Sequence, residues 1–251
     1  MCTLIIMRQM FADFPLVVAS NRDEDPSRPS ADPMVWSDRT KIFAPRDLVR
    51  GGTWIGVARH GLFAGITNRD SVLHRRHCAS RGLLVADALE QPTAQAARNL
   101  VVRTFASAPY NGFQLAVADA REAFLIIGDG DRLICEELPI GATILTAFGA
   151  GPTHAPRAVE IARRIAAVCE GGDPSAETLN GLLTFHADGD PLAAACVHDD
   201  TRESHVTVSS MTVHADRNWS AFTCRFRRGP ACLGPFGPST RIAIKHERQG
   251  T

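Results

Sequence analysis

The chain has 251 residues, of which 45% are hydrophobic and 22% charged, as in a globular domain with a large core. Basic and acidic residues number 27 each, which excludes a net field that would attract nucleic acid or an anionic membrane. No run approaches the ~20 apolar residues that span a bilayer, and the start of the chain does not resemble a signal peptide. Seven cysteines without a CxxC pair indicate a reducing compartment, so we predict a cytoplasmic protein without a membrane segment or nucleic-acid partner.

The amino-terminal part predicts β-strands joined by turns. Residues 2–7 and 16–20 are apolar runs of strand length, and the residues between them predict a hairpin. Pro, Ser and Asp residues over 23–33 predict an irregular segment. The stretch GGTWIGVARHGLFAGIT then predicts a second hairpin, which turns near Gly61 and ends at Asn68.

The remainder of the chain alternates between helical and strand patterns. The predicted helices cover residues 80–90, 93–107, 156–169 and a stretch that begins after 173. The predicted strands cover residues 113–118, 123–127, 133–138, 206–213 and 219–226. Asp173 is a candidate cap for the last helix, and a loose tail is predicted from Gly229. We therefore predict one domain over residues 1–251 with an α+β fold, in which two antiparallel sheets lie between helical layers.

Several short motifs occur in a fixed order along the chain. In the first half they are MC at the start, NRDED and SRP within 21–29, GGTWIG at 51–56, GLFAGITN at 61–68, SRG at 80–82 and YNGFQL at 110–115. This ordered set closely resembles the NRDE family, also called the transport and Golgi organisation family. ACVH at 195–198, TVSS at 207–210 and GPAC at 229–232 resemble the bacterial branch of that family.

That family is similar in turn to cysteine N-terminal-nucleophile (Ntn) hydrolases, such as the penicillin V acylases and bile-salt hydrolases. The resemblance implies a four-layer αββα sandwich and an amidohydrolase-like site. In such enzymes a Cys opens the first strand, an Arg and an Asp end the second, and an Asn completes the oxyanion hole. The matching positions in this sequence are Cys2, Arg22, Asp23 and Asn68.

The chemistry of these residues fits that interpretation. Removal of Met1 leaves Cys2 with a thiol and a free α-amine, whose ordinary pKa values are close enough for the amine to accept the thiol proton. A hairpin places Arg22 and Asp23 beside Cys2, where Arg22 favours the thiolate and Asp23 orients the amine. Asn68 is a candidate donor to the oxyanion.

Each candidate also has a purely structural interpretation. A thiol on a strand is otherwise a small hydrophobic side chain, and residues 22–24 can form an ion-pair cluster that closes a turn. Asn21 and Asn68 lie at strand ends, where Asn often makes an Asx turn. Asn21, Trp54 and Asn111 are candidates for substrate contacts, although Trp54 also suits the space between layers and Asn111 a turn before the next strand.

Two functions remain open at this point. Related hydrolases carry an Asn in the stretch TILTAFGAG at 143–151, where this chain has Thr146 and Ala147, so a second oxyanion donor is missing or is a backbone amide. The first function is cleavage of a linear amide or related acyl bond in a small molecule. The second is a non-catalytic carrier or chaperone for a hydrophobic ligand such as haem or acyl-CoA, which the physiology of the resembled family implies. The sequence predicts no oligomeric state.

No cofactor and no metal site is predicted. The HRRHC stretch, with His74, His77 and Cys78, has no second ligand cluster at a recognisable spacing and lies among arginines. The histidines at positions 186, 198, 205 and 214 are scattered along the sequence. We predict that these four are core or surface residues.

Overall fold

Two antiparallel sheets form the centre of the fold. The structure is a computed structural model, which describes residues 2–70, 77–187, 190, 192–198 and 205–245. In spatial order, the first sheet contains β11 (Gly149–Ala150), β10 (Gly141–Thr146), β1 (Thr3–Phe11), β2 (Phe14–Glu24), β12 (Val206–Ala215), β13 (Ala221–Arg228) and β14 (Thr240–Ala243). The second sheet contains β3 (Ser30–Val35), β4 (Ile42–Asp47), β5 (Ile55–Ala58), β6 (Leu62–Asn68), β7 (Phe113–Ala118), β8 (Ala123–Asp129) and β9 (Arg132–Glu137).

Four α-helices and a short 3-10 helix complete the described elements. They are α1 (Arg81–Leu89), α2 (Ala94–Ser107), α3 (Pro156–Gly171), α4 (Ala176–Leu183) and the 3-10 helix Ala231–Leu233. The hydroxyls of Ser80 and Thr93 accept hydrogen bonds from backbone N–H groups in the first turns of α1 and α2, which fixes where these helices begin. Within the described ranges, no helix has the length and apolar character needed to cross a bilayer.

Three apolar clusters separate four layers. The side chains of β1 alternate between two of them, because successive residues of a strand point to opposite faces. Leu4 and Ile6 pack between the two sheets, whereas Ile5 and Met7 pack against α3 and α4. A third cluster lies between the second sheet and the pair α1 and α2. The predicted α+β class and the four-layer αββα arrangement are thus confirmed.

The segment after Asp23 is more regular than its composition predicts. Residues 30–35 form β3, although Pro33 lies in the middle of this strand. β3 is the edge strand of its sheet, and its pairing with β4 shifts register between Ala31 and Met34. A proline without an N–H donor is tolerated at such an edge and irregularity. The prediction of an irregular segment over 23–33 is therefore wrong for residues 23–24, which end β2, and for residues 30–33, which belong to β3.

Two further predictions are corrected in the last third of the chain. Ser175 caps α4, since its hydroxyl accepts from the N–H of Thr178, and the carboxylate of Asp173 instead accepts from the N–H of Ser175. The chain after Gly229 is not loose as far as residue 245. It contributes the 3-10 helix and β14, and Phe236 and Ile242 are buried in two different clusters.

Candidate active site

A cavity of about 580 Å³ opens where β1 begins and β2 ends. Residues of both sheets, of the turn before β5 and of the start of α1 line it. The lining includes six of the seven predicted site residues, namely Cys2, Arg22, Asp23, Trp54, Asn68 and Asn111. The structure therefore brings together residues that are up to 109 positions apart in the sequence.

The β1–β2 hairpin places Cys2 beside the end of β2. Thr3 pairs with Asn21, so that Cys2 lies next to Arg22 across the hairpin. The Cys2 Sγ is 3.8 Å from the backbone oxygen of Asp23, to which it donates. Burial raises the pKa of the Cys2 thiol, and Arg22 acts in the opposite direction. The protonation state of Cys2 thus depends on the cations around it.

Arg22 is buried between Trp54 and an acidic neighbour. Its guanidinium carbon lies 4.3 Å from the centre of the Trp54 ring, in a cation–π contact, and its Nη2 is 3.4 Å from Glu24 Oε2. Burial lowers the pKa of Arg22, and Cys2, Glu24 and Asp47 act against that shift. Its Nη1 is buried and has no hydrogen-bond partner among the described residues. Arg22 therefore lines the cavity with one guanidinium nitrogen that no described acceptor occupies.

Asp23 belongs to a buried network that no sequence motif predicts. Its Oδ2 is 3.3 Å from Nη1 of Arg157, and its Oδ1 accepts a hydrogen bond of 2.7 Å from Thr207. The same Arg157 nitrogen donates to the hydroxyl of Thr3 at 3.0 Å. Arg157 lies directly after Pro156 in the first turn of α3, where the helix dipole disfavours a cation. That unfavourable position is the sequence signal by which Arg157 was detectable.

Asn68 and Asn111 lie across the cavity on the second sheet. Asn68 is the exposed last residue of β6 and pairs with Phe113, and in the part of the chain that the structure describes its side-chain amide makes no hydrogen bond. Asn111 precedes β7, and its Oδ1 accepts from the Cys78 thiol at 3.4 Å. Asn68 is thus a donor that no internal contact occupies, whereas Asn111 is already engaged.

Asn21 does not contact the cavity. It is fully buried, its Nδ2 donates to the backbone oxygens of Leu183 and Ala195 at 2.9 and 2.8 Å, and its Oδ1 accepts from Ser210 at 2.7 Å. With all of these groups engaged on the helical side of the sheet, the geometry does not support the predicted substrate contact. Asn21 instead anchors the residues around 183 and 195 to β2.

Thr146 and Ala147 do not replace the Asn of related hydrolases. The Thr146 hydroxyl is 2.8 Å from His154 Nε2 and accepts from the N–H of Phe148, and the Thr146 backbone oxygen accepts from Gln114 at 2.6 Å. Both residues are buried, and neither is among those that line the cavity. Because Thr146 and Ala147 stand where related hydrolases carry an Asn, no side chain of the 143–151 stretch is a donor in the cavity.

Further charged residues line the cavity. Arg28 pairs with Asp47 at 2.6 Å, while Arg50 and Arg81 donate to the backbone oxygens of Cys78 and Gly112. For Arg50 and Arg81, no carboxylate partner is found within the described ranges. Arg28 and Arg81 come from the SRP and SRG motifs, which the sequence analysis used as family signatures without assigning them a role.

The histidines and Cys78, whose side chains can bind metals, lie in several different parts of the structure. His77 and Cys78 line the cavity, and His74 lies outside the described residues. His205 is 3.4 Å from Glu24, and His214 is buried with its Nε2 2.6 Å from the Pro174 oxygen. His186 and His198 are not scattered, because the residues around 185 and 195 are hydrogen-bonded to each other and bring both imidazoles next to two cysteines.

Solved structures of other proteins share this fold. A mutant of conjugated bile acid hydrolase from Clostridium perfringens has a TM-score of 0.59 at 9% identity, covering 99% of this chain and 94% of that chain. The N-acylethanolamine-hydrolyzing acid amidase ortholog of Caenorhabditis elegans has a TM-score of 0.55 at 13% identity, covering 84% and 92%. At these identities the likeness shows the fold, which is the Ntn-hydrolase fold.

A family model and partial matches to sequence relatives place the chain among known proteins. The Transport and Golgi organization protein 2 homolog of Bos taurus is 32% identical over 107 residues, which are 41% of this chain and 38% of the relative. The Homo sapiens homolog is 32% identical over 111 residues, which are 43% and 40%. The chain thus spans about two fifths of the length of the curated relatives it matches. The family profile Transport and Golgi organisation 2 matches residues 1–230, and the chain belongs to that family.

Proposed function

We propose that this protein is an Ntn hydrolase that cleaves a linear amide or related acyl bond in a small molecule. The observation that carries the proposal is the position of Cys2 in the cavity, beside the guanidinium of Arg22 and across from the unengaged amide of Asn68. The shared fold with two hydrolases supports the reaction class, although it does not identify a substrate.

In the proposed reaction, the α-amine of Cys2 takes the thiol proton after Met1 is removed. The sulfur attacks the acyl carbon, and the carbonyl oxygen becomes an oxyanion that accepts from Asn68. The C–N bond breaks as the amine passes its proton to the leaving nitrogen, which leaves a thioester on Cys2. Water then adds to the thioester, so that the carboxylic acid departs and the thiol is restored.

Arg22 compensates for the cost of a buried thiolate. Burial favours the neutral thiol, and a guanidinium fixed against Trp54 stabilises the charged form. The unpartnered Nη1 of Arg22 provides a further hydrogen bond for the sulfur or for the oxyanion. This donor offsets the absence of one from Thr146 and Ala147.

The lining of the cavity favours this function over that of a carrier for a hydrophobic ligand. Its described residues include four arginines and three carboxylates, with few apolar side chains for haem or an acyl chain to contact. Arg50 and Arg81 instead favour a substrate that carries a negative group near the scissile bond. Titration with haem and with acyl-CoA tests the carrier function, and saturable binding of either at micromolar concentration would support it.

Intact-mass analysis and labelling test the hydrolase proposal. We expect the purified chain to lack Met1 and expect an electrophilic amide or lactone probe to label Cys2 selectively, as shown by peptide mass spectrometry. Cys2→Ser should abolish labelling. Cys78→Ser is the matched control, because Cys78 lines the same cavity and is half-buried like Cys2. A retained Met1, or labelling that Cys78→Ser removes and Cys2→Ser does not, would refute the mechanism.

A further inference from the structure

Four side chains that bind transition metals converge at a second place in the molecule. The ligand atoms of His186, Cys196, His198 and Cys232 all lie within 4.8 Å of one another. His198 Nε2 is 2.9 Å from Cys232 Sγ and 3.7 Å from Cys196 Sγ, and the rings of His186 and His198 are 4.9 Å apart. None of the four is among the residues that line the cavity around Cys2.

The backbone holds these side chains together from three segments. His186 follows the end of α4, and the N–H groups of Ala195 and Cys196 both donate to the backbone oxygen of Phe185 at 3.1 Å. Cys232 belongs to the 3-10 helix, which packs against α4. Main-chain contacts therefore hold the segments that carry these side chains close together.

The chemistry of this donor set is specific. Two thiols and two imidazoles are the ligands of closed tetrahedral zinc sites, and the soft sulfur atoms disfavour Mg²⁺ or Ca²⁺. Ligand atoms around tetrahedral zinc are about 3.3–3.8 Å apart, as follows from metal–ligand bonds of about 2.0–2.3 Å. The Cys196–His198 distance of 3.7 Å already lies in that range. The widest pair must close by only about 1 Å.

A fixed cation lies beside the cluster. Arg227 lies within electrostatic reach of both Cys196 and Cys232. Its guanidinium is fixed by a hydrogen bond to the Gly234 oxygen and by the face of Phe236, whose ring centre is 4.8 Å away.

We propose that His186, Cys196, His198 and Cys232 bind a structural zinc ion. The four side chains complete a tetrahedron, so the ion has no open position for a substrate. It joins the segment after α4 to the carboxyl-terminal 3-10 helix. Those segments also hold β2, because Asn21 donates to Leu183 and Ala195, while Thr207 accepts from Val197 and donates to Asp23. The zinc site thus supports the hairpin end from the helical side.

Metal analysis of the untagged full-length chain tests this proposal. The protein is expressed with zinc and dialysed against a weak chelator. We then expect about one zinc ion per chain, measured by inductively coupled plasma mass spectrometry. Replacement by Co²⁺ should give the visible absorption of a tetrahedral site with thiolate ligands. Cys232→Ser and His186→Ala should lose the ion, whereas Cys135→Ser should retain it, since Cys135 is a half-buried cysteine of β9 in the other sheet.

The possible outcomes distinguish a structural zinc site from weakly bound zinc and from a disulfide. They do not depend on the hydrolase proposal. The cobalt spectrum of the unmodified chain remains informative if a variant fails to fold. The proposal would be overturned if dialysis removes the zinc, if all three variants retain it, or if the metal-free protein contains a Cys196–Cys232 disulfide. None of these measurements uses Cys2 or a substrate, so a failure here leaves the labelling experiment unaffected.

Discussion

At the scale of single residues, the balance of charge around Cys2 decides how reactive its thiol is. Burial raises the pKa of this thiol, so an isolated Cys2 would stay neutral. Arg22 acts against burial, and it is fixed by Trp54 and Glu24. The cation and the sulfur therefore interact electrostatically, and a change in Arg22 is measurable through the reactivity of Cys2.

Arg22→Leu should make Cys2 less reactive at neutral pH. Loss of the guanidinium raises the thiol pKa further, so the thiolate fraction at a given pH falls and the alkylation rate begins to rise only at higher pH. We expect the rate near pH 7 to drop severalfold, as measured by iodoacetamide labelling resolved at the Cys2 peptide. Arg22→Lys should retain part of the effect, and the distant Arg225→Leu should leave the profile unchanged. Coincident profiles for Arg22→Leu and the unmodified chain would contradict the role of Arg22.

Arg157→Leu should destabilise the protein strongly. Arg157 and Asp23 are both buried, and replacing Arg157 removes a buried ion-pair partner of the Asp23 carboxylate in a low-dielectric site. We expect a loss of about 3–5 kcal/mol in the free energy of unfolding, measured by urea denaturation. Arg163→Leu is the control on the same helix, because its ion pair with Glu160 is exposed, and it should not change the midpoint measurably. Equal midpoints for the two variants would show that the Asp23 contact is unimportant.

At the scale of secondary-structure elements, local sequence patterns predict those elements that pack against their neighbours in the sequence. The β1–β2 hairpin, the pair of helices split by Pro92 and the β7–β9 meander are all predicted, because short turns and periodicity determine them. The strands β3, β4, β10, β11 and β14 were not predicted. Of these, β3, β11 and β14 are edge strands, which need not carry the pattern of a buried strand, whereas β4 and β10 lie inside their sheets. The cap of α4 is missed because Asp173 and Ser175 are both good caps, and only the backbone path chooses Ser175.

Gly52→Ala should disrupt the contact between two of the sequence motifs. A Cβ at position 52 would lie 2.2 Å from the carbonyl carbon of Gly82 and 2.4 Å from the nitrogen of Leu83, at the start of α1. These are backbone atoms that cannot rotate away, so overpacking should cost about 1–3 kcal/mol in the free energy of unfolding. Gly181→Ala is the control, since nothing lies within 4 Å of its Cβ in α4, and it should stabilise the chain slightly. A neutral Gly52→Ala variant would contradict the close approach.

At the scale of the whole molecule, the parts of the site that escaped prediction depend on long sequence separations. Asp23 and Arg157 are 134 residues apart, and His198 is 34 residues from Cys232. No periodicity or turn signal reports such contacts, because they form only when α3 and α4 pack on the first sheet. Cys2, Arg22 and Asn68 were predictable as a set because the two hairpins place them at strand ends and the family motifs give their order.

Removal of β14 should destabilise the whole sandwich, although the strand follows the last residue matched by the family profile. β14 pairs with β13 and places the buried side chain of Ile242 in the cluster between the sheets. The residues after it tie the sheets together, since the N–H of Lys245 donates to Arg59. We expect a chain that ends at Pro238 to lose roughly 2 kcal/mol or more in the free energy of unfolding, and expect its newly exposed β13 edge to promote association.

A chain that ends at Lys245 is the matched control for this truncation. It retains β14 and every described contact of the sheet edge, so its melting temperature and its elution volume in size-exclusion chromatography should equal those of the full chain. Both truncated chains keep Cys232, and metal loss therefore cannot account for a difference between them. If the chain that ends at Pro238 melts and elutes like the control, then β14 does not contribute to the stability of the sandwich. A lower melting temperature for the shorter chain alone would show that the first sheet requires its seventh strand.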